Sequence, residues 1–421
     1  MTLNPIKSTD DLLSLFYDAC KAKTQFRLGM ESEKFGVHSE TGASLPYEGP
    51  AGIEALFNEL VLEHGWEAER DSQSKKMIAL RQHGASITLE PGGQLELSGS
   101  PQPCVHSVDH ELRQHLEEIR PISERFKITW LGLGFTPFAR REDIHWVPKS
   151  RYGIMRGYLP TRGSKALDMM LRTCTVQVNL DFLDEADAMR KLRIALKAQP
   201  ITTAMFANSP FYEGRISSNK SERARVWLDV DPDRCGLLPF AWTEKARFAD
   251  YMNWALTVPM FFFSRNGQVI ANTGQTFADF LSQGYEGHHA TYPDWELHLS
   301  TLFPEVRLKN TLEMRGADAQ NVDLARGVTA LWKGLLYSDK AMDRAEALLE
   351  SLECEQVQAA RPQIAAKALQ ATLAGKKLAT WAAELLDIAQ IGLHEFGVCD
   401  ERGIDESKYL QNVETLTAQG L

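Results

Sequence analysis

Hydrophobic and polar positions change period along the chain, and the changes mark out its elements. Residues 26–37 alternate closely enough to be extended. Residues 77–80, 86–89 and 94–97 form further short strands, the last two joined by Pro91-Gly92-Gly93 as a hairpin-like turn. The clearest strand covers residues 173–182, where valines and a leucine alternate with Thr175, Gln177, Asn179 and Asp181, so one of its faces is polar. Residues 128–135 and 306–315 also read as extended. Apolar spacing of three and four predicts helices over residues 10–23, behind the cap cluster Ser8-Thr9-Asp10, and over residues 52–64 and 184–208, with a short one through Met170. Another covers residues 104–127, where Pro121 should bend or split it. Residues 137–163, rich in Gly, Pro and Arg, read as a loop.

Beyond Asp318 the sequence turns to Ala-, Leu- and Glu-rich helices. No repeat or Gly/Ser linker divides the chain. It reads as one domain over residues 1–421, with a sheet-containing core to about residue 320 and a helical part over 321–421. The longest apolar stretch, residues 254–263, is broken by Pro259 and falls short of the roughly 18 residues a membrane-spanning helix needs. The 46 Lys and Arg against 56 Asp and Glu leave a net charge of −10, which argues against a nucleic-acid binder. No secretory or transit signal is legible in residues 1–11, so a cytoplasmic location is expected. The six cysteines are far apart with no C-x-x-C pair, which points to free thiols and gives zinc no support.

Candidate chemistry lies in carboxylates. Glu31-Ser32-Glu33 sits on a strand, where residues two apart share a face. Glu90 and Glu96 flank the Pro-Gly-Gly turn, and Glu313 shares a face with Arg315. If these strands join one sheet with their polar faces together, five like charges converge, an arrangement that needs cations. Oxygen-only ligands spread over several strands suit Mg²⁺ or Mn²⁺. The competing reading is a half-exposed sheet whose glutamates are simply solvated, and alternation does not say which face is wet. Four arginines, Arg151 and Arg156 in the Gly-rich loop and Arg223 and Arg234 around Val226-Trp227-Leu228-Asp229, could clamp a carboxylate or form surface ion pairs. His288-His289 lacks further ligands, and Gly163-Ser164-Lys165 lacks the spacing of a phosphate loop.

The blocks Gly29-Met30-Glu31-Ser32-Glu33-Lys34-Phe35-Gly36, Thr88 through Gly99, Arg151-Tyr152-Gly153-Ile154-Met155-Arg156, Arg172-Thr173-Cys174-Thr175-Val176-Gln177-Val178-Asn179, Phe206-Ala207-Asn208-Ser209-Pro210 and Phe303-Pro304-Glu305-Val306-Arg307 running on to Glu313-Met314-Arg315-Gly316-Ala317-Asp318 occur in this order. Over residues 29–336 the chain thereby resembles the plant-type glutamate-cysteine ligases. The resemblance implies an α+β, glutamine-synthetase-like fold, a curved antiparallel sheet forming a funnel with helices outside. It implies a cytoplasmic bacterial enzyme of glutathione synthesis, monomer or homodimer, with no nucleic-acid or membrane partner. L-glutamate would be phosphorylated by ATP on its γ-carboxylate and joined to the amine of L-cysteine. Carried over by motif, Glu31, Glu33, Glu90, Glu96, Glu313 and Gln177 are the metal ligands for Mg²⁺ or Mn²⁺. Arg315, Glu31 and Glu313 are the catalytic groups, and Arg151, Arg223, Arg156 and Arg234 the substrate-binding arginines, with Arg151 and Arg223 favoured. Asn272 stands where plant members carry a pairing cysteine, so redox activation of that type is not expected. The alternatives are a related ligase with another amine acceptor and a non-catalytic sensor of glutamate or nucleotide.

Overall fold

The computed structural model describes residue 6 and residues 8–420. Its centre is a nine-stranded antiparallel sheet. In chain order the strands are β1 (Leu28–His38), β2 (Glu67–Arg70), β3 (Met77–Gln82), β4 (Ala85–Leu89), β5 (Leu95–Ser98), β6 (Ile128–Leu131), β7 (Thr175–Leu180), β8 (Val306–Leu308) and β9 (Leu312–Asp318). In space they run β8-β9-β7-β1-β5-β4-β3-β2, with β6 pairing the far end of β1. The long strand β1 therefore lies centrally between β7 and β5.

Alternation decides which face is dry. Met30, Leu95, Leu97, Val176, Val178 and Leu180 are buried. They pack toward helices α1 (Ile53–His64), α2 (Val105–Phe126), α5 (Glu185–Met205) and α7 (Val322–Leu336), with α3 (Ser150–Tyr158), α4 (Ala166–Arg172) and α6 (Glu222–Val226) lying between them in the chain. The C-terminal third is helical as its composition predicts, interrupted by the small hairpin Thr372–Leu373 and Lys376–Lys377. Among the described residues no helix is long and apolar enough to cross a membrane.

Several expectations are corrected. The helix α2 runs unbroken through Pro121, because Ile119 and Ile122 anchor it to the core on either side of the residue whose hydrogen bond is lost. The stretch 306–315 is a hairpin, with the turn closed by the Lys309 N–H on the Thr311 carbonyl at 2.9 Å. The loop over 137–163 contains α3, so Arg151 and Arg156 are helical. The carboxylate of Asp71, in the turn between β2 and β3, accepts from the Ser150 N–H at 3.0 Å and hydroxyl at 2.6 Å and so fixes the start of that helix from far away in the chain.

Candidate active site

The sheet register builds the site. Glu33 stands directly opposite Glu96, Glu31 opposite Gln177, and Glu313 opposite Asn179, so β9, β7, β1 and β5 carry a continuous row of polar side chains on one face. The turn after β4 adds Glu90, whose N–H donates to the Gln94 carbonyl at 3.0 Å. Gly93 holds φ +83°, and a side chain on Gly92 would strike the Leu171 carbonyl, so the Pro-Gly-Gly turn packs closely and aims Glu90 at the same space.

Glu31, Glu33, Glu90, Glu96, Gln177, Arg151, Arg223, Arg307 and Arg315 line one cavity of about 330 Å³. Its wall also includes Thr88, Lys149, Tyr152, Met169, Met170, Phe262, Ser300, Thr301 and Phe303. The acids are held by donors from neighbouring strands. Glu31 accepts from Gln177 Nε2 and Asn179 Nδ2, each at 2.9 Å. Glu33 accepts from the Thr175 N–H at 2.9 Å, and Glu96 from Thr88 Oγ1 at 2.6 Å and Ser98 Oγ at 2.8 Å.

Crowding makes it costly to ionise every acid of this row at once. Burial, then the charges of Glu313 and Glu96, pushes Glu31 up to about 8. Burial with Glu90 and Glu96 pushes Glu33 well above the usual carboxylate range, and burial with Glu96 raises Glu90. Glu313 behaves oppositely. Burial would raise it, but Arg307, Lys309 and Arg315 outweigh that and hold it far below the usual range.

The structure therefore sorts the residues singled out by sequence. Glu31, Glu33, Glu90 and Glu96 meet on the cavity wall with Arg151, Arg223 and Arg315. Glu313 does not line the cavity, because both its oxygens are taken by cations: Arg307 Nε and Nη2 at 2.9 Å each, with Arg315 Nη1 and Lys309 beside them. Gln177 spends its carbonyl oxygen on Arg315 and its amide N–H on Glu31, so it bridges the two. Arg156 is exposed, lies over the Trp146 ring at 4.9 Å and is not on the wall. Arg234 is buried elsewhere, bound to Asp231 at 2.7 Å and to the Pro259 and Thr301 carbonyls, and stacked 3.7 Å from the Phe261 ring centroid. Its influence on the cavity is through the backbone at Thr301.

Sequence reasoning missed Arg307, Lys309, Lys149 and Asn179 as site residues. Arg307 and Lys309 were findable, since they sit two apart just before Glu313, but only once a turn at Asn310 is placed between the two strands. Arg223 has a further task. It donates to the Arg315 and Gly316 carbonyls at 2.7 and 3.3 Å, where β9 bulges against β7, and so fixes the backbone that presents Arg315.

Among the described residues no three of the His, Cys, Asp and Glu side chains are already drawn into a metal-holding group. The four wall carboxylates instead offer separate oxygen donors around an anionic space, the donor chemistry that Mg²⁺ or Mn²⁺ accepts together with waters and phosphates.

A glutamine-synthetase-like arrangement of this kind, an antiparallel sheet with carboxylates and arginines on one face, defines a class that the comparisons narrow. The family model described as glutamate-cysteine ligase family 2 matches residues 27–421, and the chain belongs to that family. Curated relatives include the chloroplastic glutamate–cysteine ligases of Brassica juncea, 41% identical over 98% of this chain and 79% of that protein, and of Arabidopsis thaliana, 41% identical over 98% of this chain and 77% of that protein. The crystal structure of glutamate–cysteine ligase from Francisella tularensis in complex with AMP aligns with a TM-score of 0.56 over 93% of this chain and 82% of that one. At 13% identity that likeness shows the fold alone.

Proposed function

We propose that the chain is an ATP-dependent ligase that joins the γ-carboxylate of L-glutamate to the amine of L-cysteine, giving γ-glutamylcysteine, ADP and phosphate. The observation that carries this reading is the meeting of Glu31, Glu33, Glu90 and Glu96 with Arg151, Arg223 and Arg315 around one cavity, in a chain of this family.

The chemistry asks for that set. A carboxylate is a poor electrophile, so its oxygen first takes the terminal phosphoryl group of ATP, and the resulting γ-glutamyl phosphate has a stable leaving group. Two anions must be brought together for this. Arg315, held by Glu313 and Gln177, is a fixed guanidinium on the wall that can stabilise charge on the transferred group without reorganising. Arg223 and Arg151 can clamp the α-carboxylate of glutamate. Mg²⁺ held by Glu31, Glu33, Glu90 and Glu96 would supply charge neutralisation of the phosphates. The wall residues Met169, Met170 and Phe262 give the amine acceptor an apolar surface that limits water. The enzyme would work in the cytoplasm, where its six cysteines, all unpaired, stay reduced.

Release of ADP that requires glutamate and cysteine together, with γ-glutamylcysteine identified by mass, tests the reading. ADP release with glutamate and another amine but not cysteine would replace it with a different acceptor.

A further inference from the structure

Apart from Arg223, which holds the Arg315–Gly316 backbone, the cations on and just behind the cavity wall fall into two groups. On the β8–β9 side Arg307, Lys309 and Arg315 are neutralised around Glu313. On the α3 side Lys149 and Arg151 flank the Tyr152 ring, each with its charge 5.4 Å from the ring centroid. Among the described residues neither makes an ion pair of its own. Lys149 is buried on the cavity wall. Its Nζ donates to the Leu89 carbonyl at 2.7 Å and lies 3.4 Å from the Tyr152 hydroxyl, which itself donates to that carbonyl at 2.8 Å. This leaves Nζ a donor to spare. Leu89 immediately precedes Glu90, so the ammonium stands beside the carboxylates of the wall.

Two like charges side by side in a dry wall persist only opposite excess negative charge. Burial and the charge of Arg151 pull Lys149 down to about 8, with Glu90 and Glu96 opposing them. Once a divalent cation is held by Glu90 and Glu96, their help is spent and the pair still faces the cavity. The α-carboxylate of glutamate can match Arg151, which leaves the Lys149 ammonium unmatched, and the charge of a polyphosphate matches it well. A lysine ammonium is a compact point charge without the fork that selects carboxylates.

Resting on the ligase reading above, we propose that Lys149 is a further catalytic residue whose ammonium contacts the terminal phosphoryl group of the nucleotide. In the transfer the bond from the terminal phosphorus to its bridging oxygen breaks, and ADP leaves with the electron pair. The bond from the glutamate γ-carboxylate oxygen to phosphorus forms, and Lys149 keeps its proton throughout.

Calorimetric binding of Mg²⁺ with a non-hydrolysable ATP analogue, compared with Mg²⁺ and ADP, tests this in the full-length protein. Lys149→Met weakens the triphosphate analogue about tenfold or more, as loss of a charge-assisted hydrogen bond should. It changes ADP affinity and the glutamate KM by less than about threefold, and lowers kcat. Lys149→Arg, which keeps the charge, retains most of the analogue's affinity. If the Met variant fails to fold, Lys149→Gln, which can still donate to the Leu89 carbonyl, carries the same expectation. Equal losses for ADP and the analogue, or unchanged analogue binding in a folded variant, overturn the inference while leaving an active wild type in place. A wild type that neither binds nucleotide nor releases ADP overturns the ligase reading itself.

Discussion

Arg307 and Glu313 face each other directly across the β8–β9 hairpin, and the guanidinium grips both carboxylate oxygens at 2.9 Å. Glu313 is fully buried, and the same carboxylate also holds Arg315. One anion thus fixes two guanidiniums on the cavity wall. Removing one member of a buried pair leaves the other charge uncompensated, so Arg307→Met should lower unfolding free energy by roughly 3–5 kcal/mol. Urea denaturation checks this, and a loss below about 1 kcal/mol would show that Lys309 and Arg315 suffice for Glu313.

Glu31→Gln should leave the fold intact and lower turnover about 100-fold or more if Glu31 is the metal ligand proposed above, since a ligand and its charge are then lost. Mg²⁺ should also raise the melting temperature of the wild type, and raise it less in this variant, since binding to the native state stabilises it. Near wild-type turnover at saturating Mg²⁺ would remove Glu31 from the ligand set.

For Arg223→Ala the glutamate KM should rise far more than the ATP KM, and kcat should fall as the Arg315–Gly316 backbone loses its two hydrogen bonds. An unchanged glutamate KM with a reduced kcat would leave Arg223 only the backbone task.

Asp71 offers a test by pH. Burial would raise its carboxyl, but the Ser150 hydroxyl and the Ser74, Ser150 and Gln73 N–H groups hold it down at about 2. A folded-state pKa below the unfolded one adds stability above the unfolded pKa, lost as pH falls toward the folded one. Asp71→Asn should therefore cost roughly 2 kcal/mol near neutral pH, and the deficit should shrink by about half at pH 3. A deficit constant between these pH values would mean that the side chain acts by shape and not by charge. Because Asp71 fixes the start of α3, the same variant should also raise the KM for glutamate, whose α-carboxylate Arg151 is proposed to clamp.

Much of this site was legible because strand alternation is strict. Glu31 and Glu33 had to share a face, and the valines of β7 had to turn Gln177 and Asn179 the other way. What alternation could not supply was register. Nothing local says that Glu33 meets Glu96, a like-charge pairing that costs stability unless a proton or a cation neutralises it. The turn at Lys309-Asn310-Thr311 lies between two segments that alternate alike and read as one extended stretch, so alternation alone does not show that Arg307 faces Glu313. The start of α3 was missed for a similar reason. Gly153 and Gly157 weaken its helical signal, and the cap that compensates comes from Asp71, in a different part of the chain. Which face of the sheet is covered was equally invisible, since Phe262 and the Ser300–Phe303 segment that wall in the carboxylates lie far from them in sequence.

The most direct test is a coupled ADP-release assay with ATP, Mg²⁺ and L-glutamate, comparing L-cysteine with L-2-aminobutyrate, glycine and no amine, with the product checked by mass. Turnover is expected with cysteine and 2-aminobutyrate, little with glycine, and cysteine should give a γ-glutamylcysteine product. Well-folded protein that releases no amine-dependent ADP would contradict the ligase reading.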